Sequence, residues 1–211
     1  MQFVEIHLPV SNALPLLTVD APSRQMKLSI AEETKWMVQI SNGDHSAMSL
    51  LVSKWEEPLY RFFYRSLGNH ADCQDLTQKT FLRTYKSAKT YQPAAKFSTW
   101  LFTIARNLLI DEIKRRKKFQ TSEISEERIN PEGLNSETKN IKDWQEILQV
   151  AIKEIPENHR SALLFRVQQE WSYMEIAKVM NANEQMVKTW IHRARQALKA
   201  KISELKMKGE L

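Results

Sequence analysis

Residues 156–201 spell three successive helices together with the punctuation between them. Few folds accommodate such a stretch, and it reads as a helix-turn-helix. Pro156 suits a first helical position, where its missing N–H costs nothing. Ser172 followed by Glu175 has the spacing of a capping box and starts a second, short helix. Ile176, Ala177 and Val179 give that helix an apolar side, and Asn181 can take the left-handed conformation that ends it. Asn183 is a good N-cap for a third helix.

On the third helix Val187, Ile191, Ala194 and Leu198 recur at i, i+4, i+7 and i+11, which makes one buried stripe. The other side carries Gln185, Lys188, Thr189, Trp190, His192, Arg193 and Arg195. Residues 185–201 contain five Lys or Arg and no Asp or Glu. A recognition helix needs this division, one face held by partner helices and the other offering donors to base edges and phosphates. A helical hairpin with a solvated basic face would share the pattern, but the capped helix order favours DNA.

Composition sets the outer limits. A chain of 211 residues can hold two small domains, each with a core. A net charge of +6 suits an anionic partner without identifying it. Four glycines and seven prolines leave little material for the turns of a many-stranded β fold. A lone cysteine, Cys73, forms no internal disulfide; it fits a reducing compartment and reads as a passive small residue. The sequence has no run of 18 apolar residues, and its first residues lack the basic start of a secretory signal, so a cytoplasmic location is expected. No Cys/His spacing of zinc type, phosphate loop or nucleophile elbow stands out, so the reading includes no metal, no cofactor, no catalytic residue and no small-molecule substrate.

The organisation along the chain is all-α: two small helical domains joined by a flexible linker, the C-terminal one the helix-turn-helix. Residues 1–26 are extended-prone, with three prolines, and read either as a disordered arm or as sequence upstream of a true start at Met26. Residues 27–118 form the first helical unit. Ser29 with Glu32 makes a second capping box, and Gly43 with Asp44 marks a stop and a new N-cap. Pro58 interrupts or kinks the next helix, which Gly68 ends. Asp72 caps another helix, on which Phe81, Tyr85 and Ala88 share a face. A long helix over residues 98–118 carries an apolar stripe of Leu101, Ile104, Ala105 and Leu108, and ends in five consecutive basic residues. Residues 119–142 form an acidic linker, and residues 143–205 the helix-turn-helix unit. Charge alternates in blocks: residues 106–118 hold six bases and two acids, residues 119–146 seven acids and three bases.

Three stretches in this order resemble one family. Residues 97–107, FSTWLFTIARN, with the basic helix end after them, resemble the promoter-melting, −10-reading part of bacterial sigma factors. Residues 75–83, DLTQKTFLR, resemble the preceding helix, which holds core RNA polymerase. The helix-turn-helix resembles their −35-reading domain. With two such units and a short linker, the chain is similar to the extracytoplasmic-function (ECF) group, over roughly residues 27–203.

The resemblance implies roles for particular residues. Asp75, Gln78 and Lys79 would face core polymerase, whose β′ coiled coil is the family's docking site, with further contacts to the β subunit. The family usually has Glu where this chain has Lys79, a reversal of charge at that contact. The melted −10 strand would be held by the loop before the long helix, with Lys96 in it, then by Asn107, Lys114 and Arg115: one amide to read a base edge and cations for phosphates. The −35 duplex would be read by Gln185, Lys188, Thr189, Trp190 and Arg193. Trp190 stands where relatives carry Arg or another polar residue; it either meets a thymine methyl and sugar–phosphate backbone or leans on a neighbouring helix. Trp100, by its spacing to Ile104, belongs in the core rather than in melting. The linker either threads the polymerase RNA-exit region as a nucleic-acid mimic or is a plain tether.

The reading is therefore a promoter-recognition subunit that binds core polymerase and starts transcription without covalent chemistry of its own. It is expected to answer stress or envelope signals and to be held by an anti-sigma factor. The alternative is a stand-alone helix-turn-helix regulator, which would have no use for a melting module.

Overall fold

The computed structural model describes residues 30–92, 96–123 and 144–207. Among them are eight α-helices, one 3₁₀ turn and no strand. The arm of residues 1–26, Ser29 with its expected capping box, residues 93–95 and the linker from residue 124 to 143 lie outside the described residues.

α1 (Ile30–Ser41) ends in a tight turn at Gly43, whose φ of +90° suits glycine. Asp44 then caps α2 (His45–Leu67), its carboxylate accepting from the Ser46 and Ala47 amides. α2 continues through Pro58 as one helix. Buried Trp55 and Leu59 pin it on either side of the proline, so tertiary packing outweighs one missing backbone hydrogen bond. Gly68, at φ +67°, closes the helix through its N–H to the Tyr64 carbonyl.

α3 (His70–Lys86) is capped by Asn69, not by Asp72 as the sequence suggests. Asn69 Oδ1 accepts from the Asp72 amide, and Asp72 sits in the first turn, where a carboxylate suits the helix dipole. Thr77, Thr80 and Thr84 are buried along one face. Each hydroxyl donates to the carbonyl four residues back, so α3 packs closely without orphaned oxygens. Phe81 and Ala88 are buried as their shared face requires; Tyr85 is 43% exposed and stacks on His45 instead.

A 3₁₀ turn (Ala88–Thr90) leads towards α4 (Phe97–Glu123). α4 runs five residues past the basic end expected at Lys118, into the segment read as linker. Leu101, Ala105 and Leu108 are buried and Ile104 partly so; Trp100 packs against Tyr91 and Phe97 as a core ring.

The C-terminal unit is α5 (Trp144–Lys153), α6 (Glu157–Gln168), α7 (Tyr173–Met180) and α8 (Glu184–Met207). Pro156 takes the N-cap of α6 rather than its first turn. The Ser172–Glu175 capping box is present in both directions, Asn181 has φ +48°, and Asn183 Oδ1 accepts from the Met186 amide. One buried cluster runs through both units: Phe62 of α2 and Phe102 of α4 lie in the same core as Phe165 of α6 and Trp171.

Candidate nucleic-acid interface

α8 divides as its sequence requires. Val187, Ile191 and Ala194 are buried, while Gln185, Lys188, His192, Arg193 and Arg195 are exposed and Thr189 is half-buried. Trp190 differs from the other residues placed on the outer side of α8. It is half-buried and packs against the core, at the edge of the stripe rather than opposite it. At 100° per residue it lies only about 60° from Val187, within reach of a ring as long as indole. Lys188 Nζ sits 5.5 Å over the Tyr173 ring, and Arg166 stands 5.2 Å from that ring. Burial, and then the charge of Arg193, holds His159 of α6 below the usual imidazole range.

α4 offers a second polar track. Asn107, Lys114 and Lys118 are exposed at i, i+7 and i+11, one stripe along the helix. Lys96 stands just before the helix, about 16 Å from Asn107 by helical rise. Arg115 is exposed too, but its guanidinium is engaged in two hydrogen bonds to Glu112, at 2.7 and 2.8 Å. Arg116 bonds the same Glu112 and reaches Asp72 of α3. These bonds, Arg115's first, outweigh the burial of Glu112 and hold its carboxyl down at about 2. Two of the five basic residues at 114–118 thus fasten α4 to itself and to α3.

On α3, Asp75, Gln78 and Lys79 are exposed on one face, away from buried Cys73, Leu76 and Thr80. Lys79 pairs with Asp75. Cys73 is fully buried, and burial pushes its thiol up to about 11, an inert group.

Apart from Lys96 and Glu175, which were read for other roles, the residues that join the two units were not singled out from the sequence. Phe62 stacks on Phe165 at 5.0 Å, and Phe102 meets Phe165 and Trp171 edge-on at 5.8 and 5.4 Å. Arg106, which is buried, donates to Glu157 and Asn158 at the start of α6. Lys96 pairs with Glu175 of α7. The adjacent pair Phe62 and Phe63 was the available signal, because a helix buried across that wide an arc has neighbours on two sides.

Two family models match, Sigma-70 region 2 over residues 51–119 and Sigma-70, region 4 over residues 145–198. The chain is 31% identical to the ECF RNA polymerase sigma factor SigW of Bacillus subtilis, over 85% of this chain and all of that protein. It is 33% identical to the ECF sigma factor SigE of Mycolicibacterium smegmatis, over 80% of this chain and 67% of that one.

The chain belongs to the ECF RNA polymerase sigma factors.

The fold is shared with solved structures at lower identity. CnrH, solved in complex with the cytosolic domain of CnrY, superposes with a TM-score of 0.61 at 20% identity, covering 82% of this chain and 98% of that one. RpoE of Bartonella quintana, solved in complex with the anti-sigma factor NepR, gives 0.59 at 18% identity, covering 74% and 96%. The region 2 match takes in most of α2 and all of α3 and nearly all of α4, so the N-terminal half is not the unrelated module that a stand-alone regulator would carry. This sigma factor is a transcription-initiation factor, with α7 and α8 as the helix-turn-helix of region 4. Among the described residues no helix is long and apolar enough to cross a membrane.

Proposed function

We propose that this sigma factor docks on core RNA polymerase through the outer face of α3, with Asp75, Gln78 and Lys79 in contact. It takes up the melted −10 strand along Lys96, Asn107 and Lys114, with Arg115 in a lesser part. It reads the −35 duplex through Gln185, Lys188, Thr189 and Arg193, while Trp190 braces α8 from its edge. The supporting observation is the split of α8, with Val187, Ile191 and Ala194 buried and an outer face of donors free of acids over residues 185–201. Its work is binding and positioning in the cytoplasm, and bond formation belongs to the polymerase. An anti-sigma factor is its proposed negative partner.

The test is reconstitution. Purified chain and core polymerase are incubated with a random promoter library, and run-off transcripts are sequenced. Enrichment of two conserved elements about two helical turns apart, dependent on the chain, supports the reading. A chain that binds DNA but neither co-purifies with core nor directs transcription overturns it.

A further inference from the structure

The outer face of α8 is not uniformly polar. Met186, in its first turn, is 44% exposed. The backbone there is fixed, because the Met186 amide is the one that donates to the Asn183 cap, at 2.8 Å. At 100° per residue Met186 lies about 60° from Thr189 and about 20° from Arg193, so the three share one side of the helix. Thr189 adds no free donor to this side: its hydroxyl donates back to the Gln185 carbonyl at 2.9 Å. Trp190, one turn on from Met186, packs against the core. Between exposed Gln185 and exposed Arg193, the surface therefore offers a thioether where a reading helix would ordinarily offer a hydrogen bond. Single exposed apolar side chains are common and carry no argument by themselves. Met174 on α7 and Met207 at the far end of α8 are of that kind. Met186 differs in place, since the N-terminal residues of a recognition helix are the ones that meet base edges.

We infer that Met186 is a specificity residue of the −35 contact, its thioether seated against the 5-methyl group of one thymine. This rests on the assignment of α8 to the −35 duplex and deepens it. The thymine methyl is the one group on a major-groove base edge that neither donates nor accepts, so an apolar side chain gains by covering it and a polar one does not. Methionine suits the task, because its unbranched chain and polarisable sulfur adapt to a surface that no protein core has shaped. The discrimination has two parts. Uracil or cytosine in place of thymine removes the methyl and the apolar surface buried with it. Cytosine also brings an amino donor to that edge, for which a thioether is a poor acceptor, so the donor loses water without a replacement. Gln185 and Arg193 read by hydrogen bonds and cannot recognise a methyl group. Met186 thus adds to the −35 element a thymine that the polar residues of α8 do not specify.

The test uses the full chain with core polymerase. A selection from promoters randomised at −35 first gives the preferred element, and each thymine in it is then replaced singly by deoxyuridine, which lacks only the 5-methyl group. Binding by wild type should weaken about fourfold at one thymine, the worth of one methyl group taken out of water. Met186→Ala should bind the thymine promoter more weakly and lose that sensitivity, binding the thymine and uracil forms within 1.5-fold of each other. Met186→Leu, which keeps an apolar side chain of similar size, should retain it. Met174→Ala, the exposed methionine outside α8, should respond to uracil as wild type does. A preferred element without thymine overturns the inference, as does a wild type indifferent to every uracil or a Met186→Ala variant as sensitive as wild type. Arg193→Ala separates this failure from failure of the −35 assignment. If it relaxes the selected element while uracil has no effect, α8 reads the duplex without Met186. If it changes nothing either, the assignment of α8 falls as well.

Discussion

Lys79 Nζ sits 2.6 Å from Asp75 Oδ2, one turn along the exposed face of α3. Under the proposed docking, the chain therefore neutralises its own contact carboxylate, at a place where the family resemblance implies a second acid. Both side chains are about half exposed, so the pair itself is weak, a few tenths of a kcal/mol. Lys79→Gln should leave the fold unchanged and tighten core binding about twofold, since Asp75 no longer has to leave a partner. Asp75→Arg should weaken it at least tenfold. Competition against a labelled sigma factor for limiting core polymerase checks both, and core binding indifferent to Asp75→Arg removes α3 as the docking face.

Glu112 gives a pH prediction. Its carboxyl is held at about 2, chiefly by the Arg115 hydrogen bond, against an ordinary 4.5. A carboxyl depressed in the folded state lends stability that is complete above about pH 4.5 and lost as pH falls towards 2. Glu112→Gln should therefore destabilise the protein by about 1–2 kcal/mol at pH 7, discounted for the exposure of Arg115, and by almost nothing near pH 2. Urea unfolding at both pH values reads the difference, and a penalty equal at both would assign Glu112 a packing role only.

Lys114 and Arg115 should separate, though adjacent in sequence. Lys114 is exposed on the stripe of Asn107, whereas Arg115 is bonded to Glu112. Lys114→Ala should lower the salt slope of holoenzyme–promoter binding by about 0.7–0.9. Arg115→Ala should lower it less and should also lower stability at pH 7. Equal slopes with no stability change would mean that Arg115 leaves Glu112 in the complex.

What was legible in the sequence was local. The capping box at Ser172 and Glu175, the left-handed Asn181 and the Asn183 cap each depend on residues within one turn, and each is present. Asp72 was misplaced as a cap because Asn69, three residues earlier, is equally able. Only the backbone tells them apart, with Asn69 at φ −118° and ψ 122°. Pro58 does not interrupt α2 as one reading of the sequence had it, because the packing that holds the helix through it comes from other helices. Arg106 was invisible for the same reason: its partner Glu157 lies 51 residues away.

Trp190 should be a brace and not a base reader. It packs partly against the core at the edge of the α8 stripe, beside a basic face that begins with Lys188. Trp190→Ala should cost about 1–3 kcal/mol of stability through lost apolar burial. Trp190→Arg should return the same −35 motif as wild type in a randomised selection, while Arg193→Ala relaxes it at one position by about 1–3 kcal/mol. A shifted motif for Trp190→Arg would restore the ring to the DNA surface.

Gly68 tests the attachment of α5 to α2. Its φ of +67° is in the left-handed region, and an added Cβ would lie 2.2 Å from Lys153 Cε and 2.3 Å from Nζ. Lys153 thus lies across the C-terminal end of α2, where the helix dipole favours a cation, and Gln149 Nε2 donates to the Tyr64 carbonyl at 2.6 Å beside it. Region 4 in this way completes the cap of a region 2 helix. Gly68→Ala should destabilise by about 1–2 kcal/mol from backbone strain, with a further loss from pushing Lys153 aside. Gly68→Asn should recover part of the strain, because Asn tolerates this conformation, but not the displaced lysine. In Lys153→Ala the clash is gone, so Gly68→Ala should cost less there than in wild type, by an interaction energy readable in a double-mutant cycle from urea melts. Strict additivity of the two substitutions would show that Lys153 does not rest on Gly68 in solution.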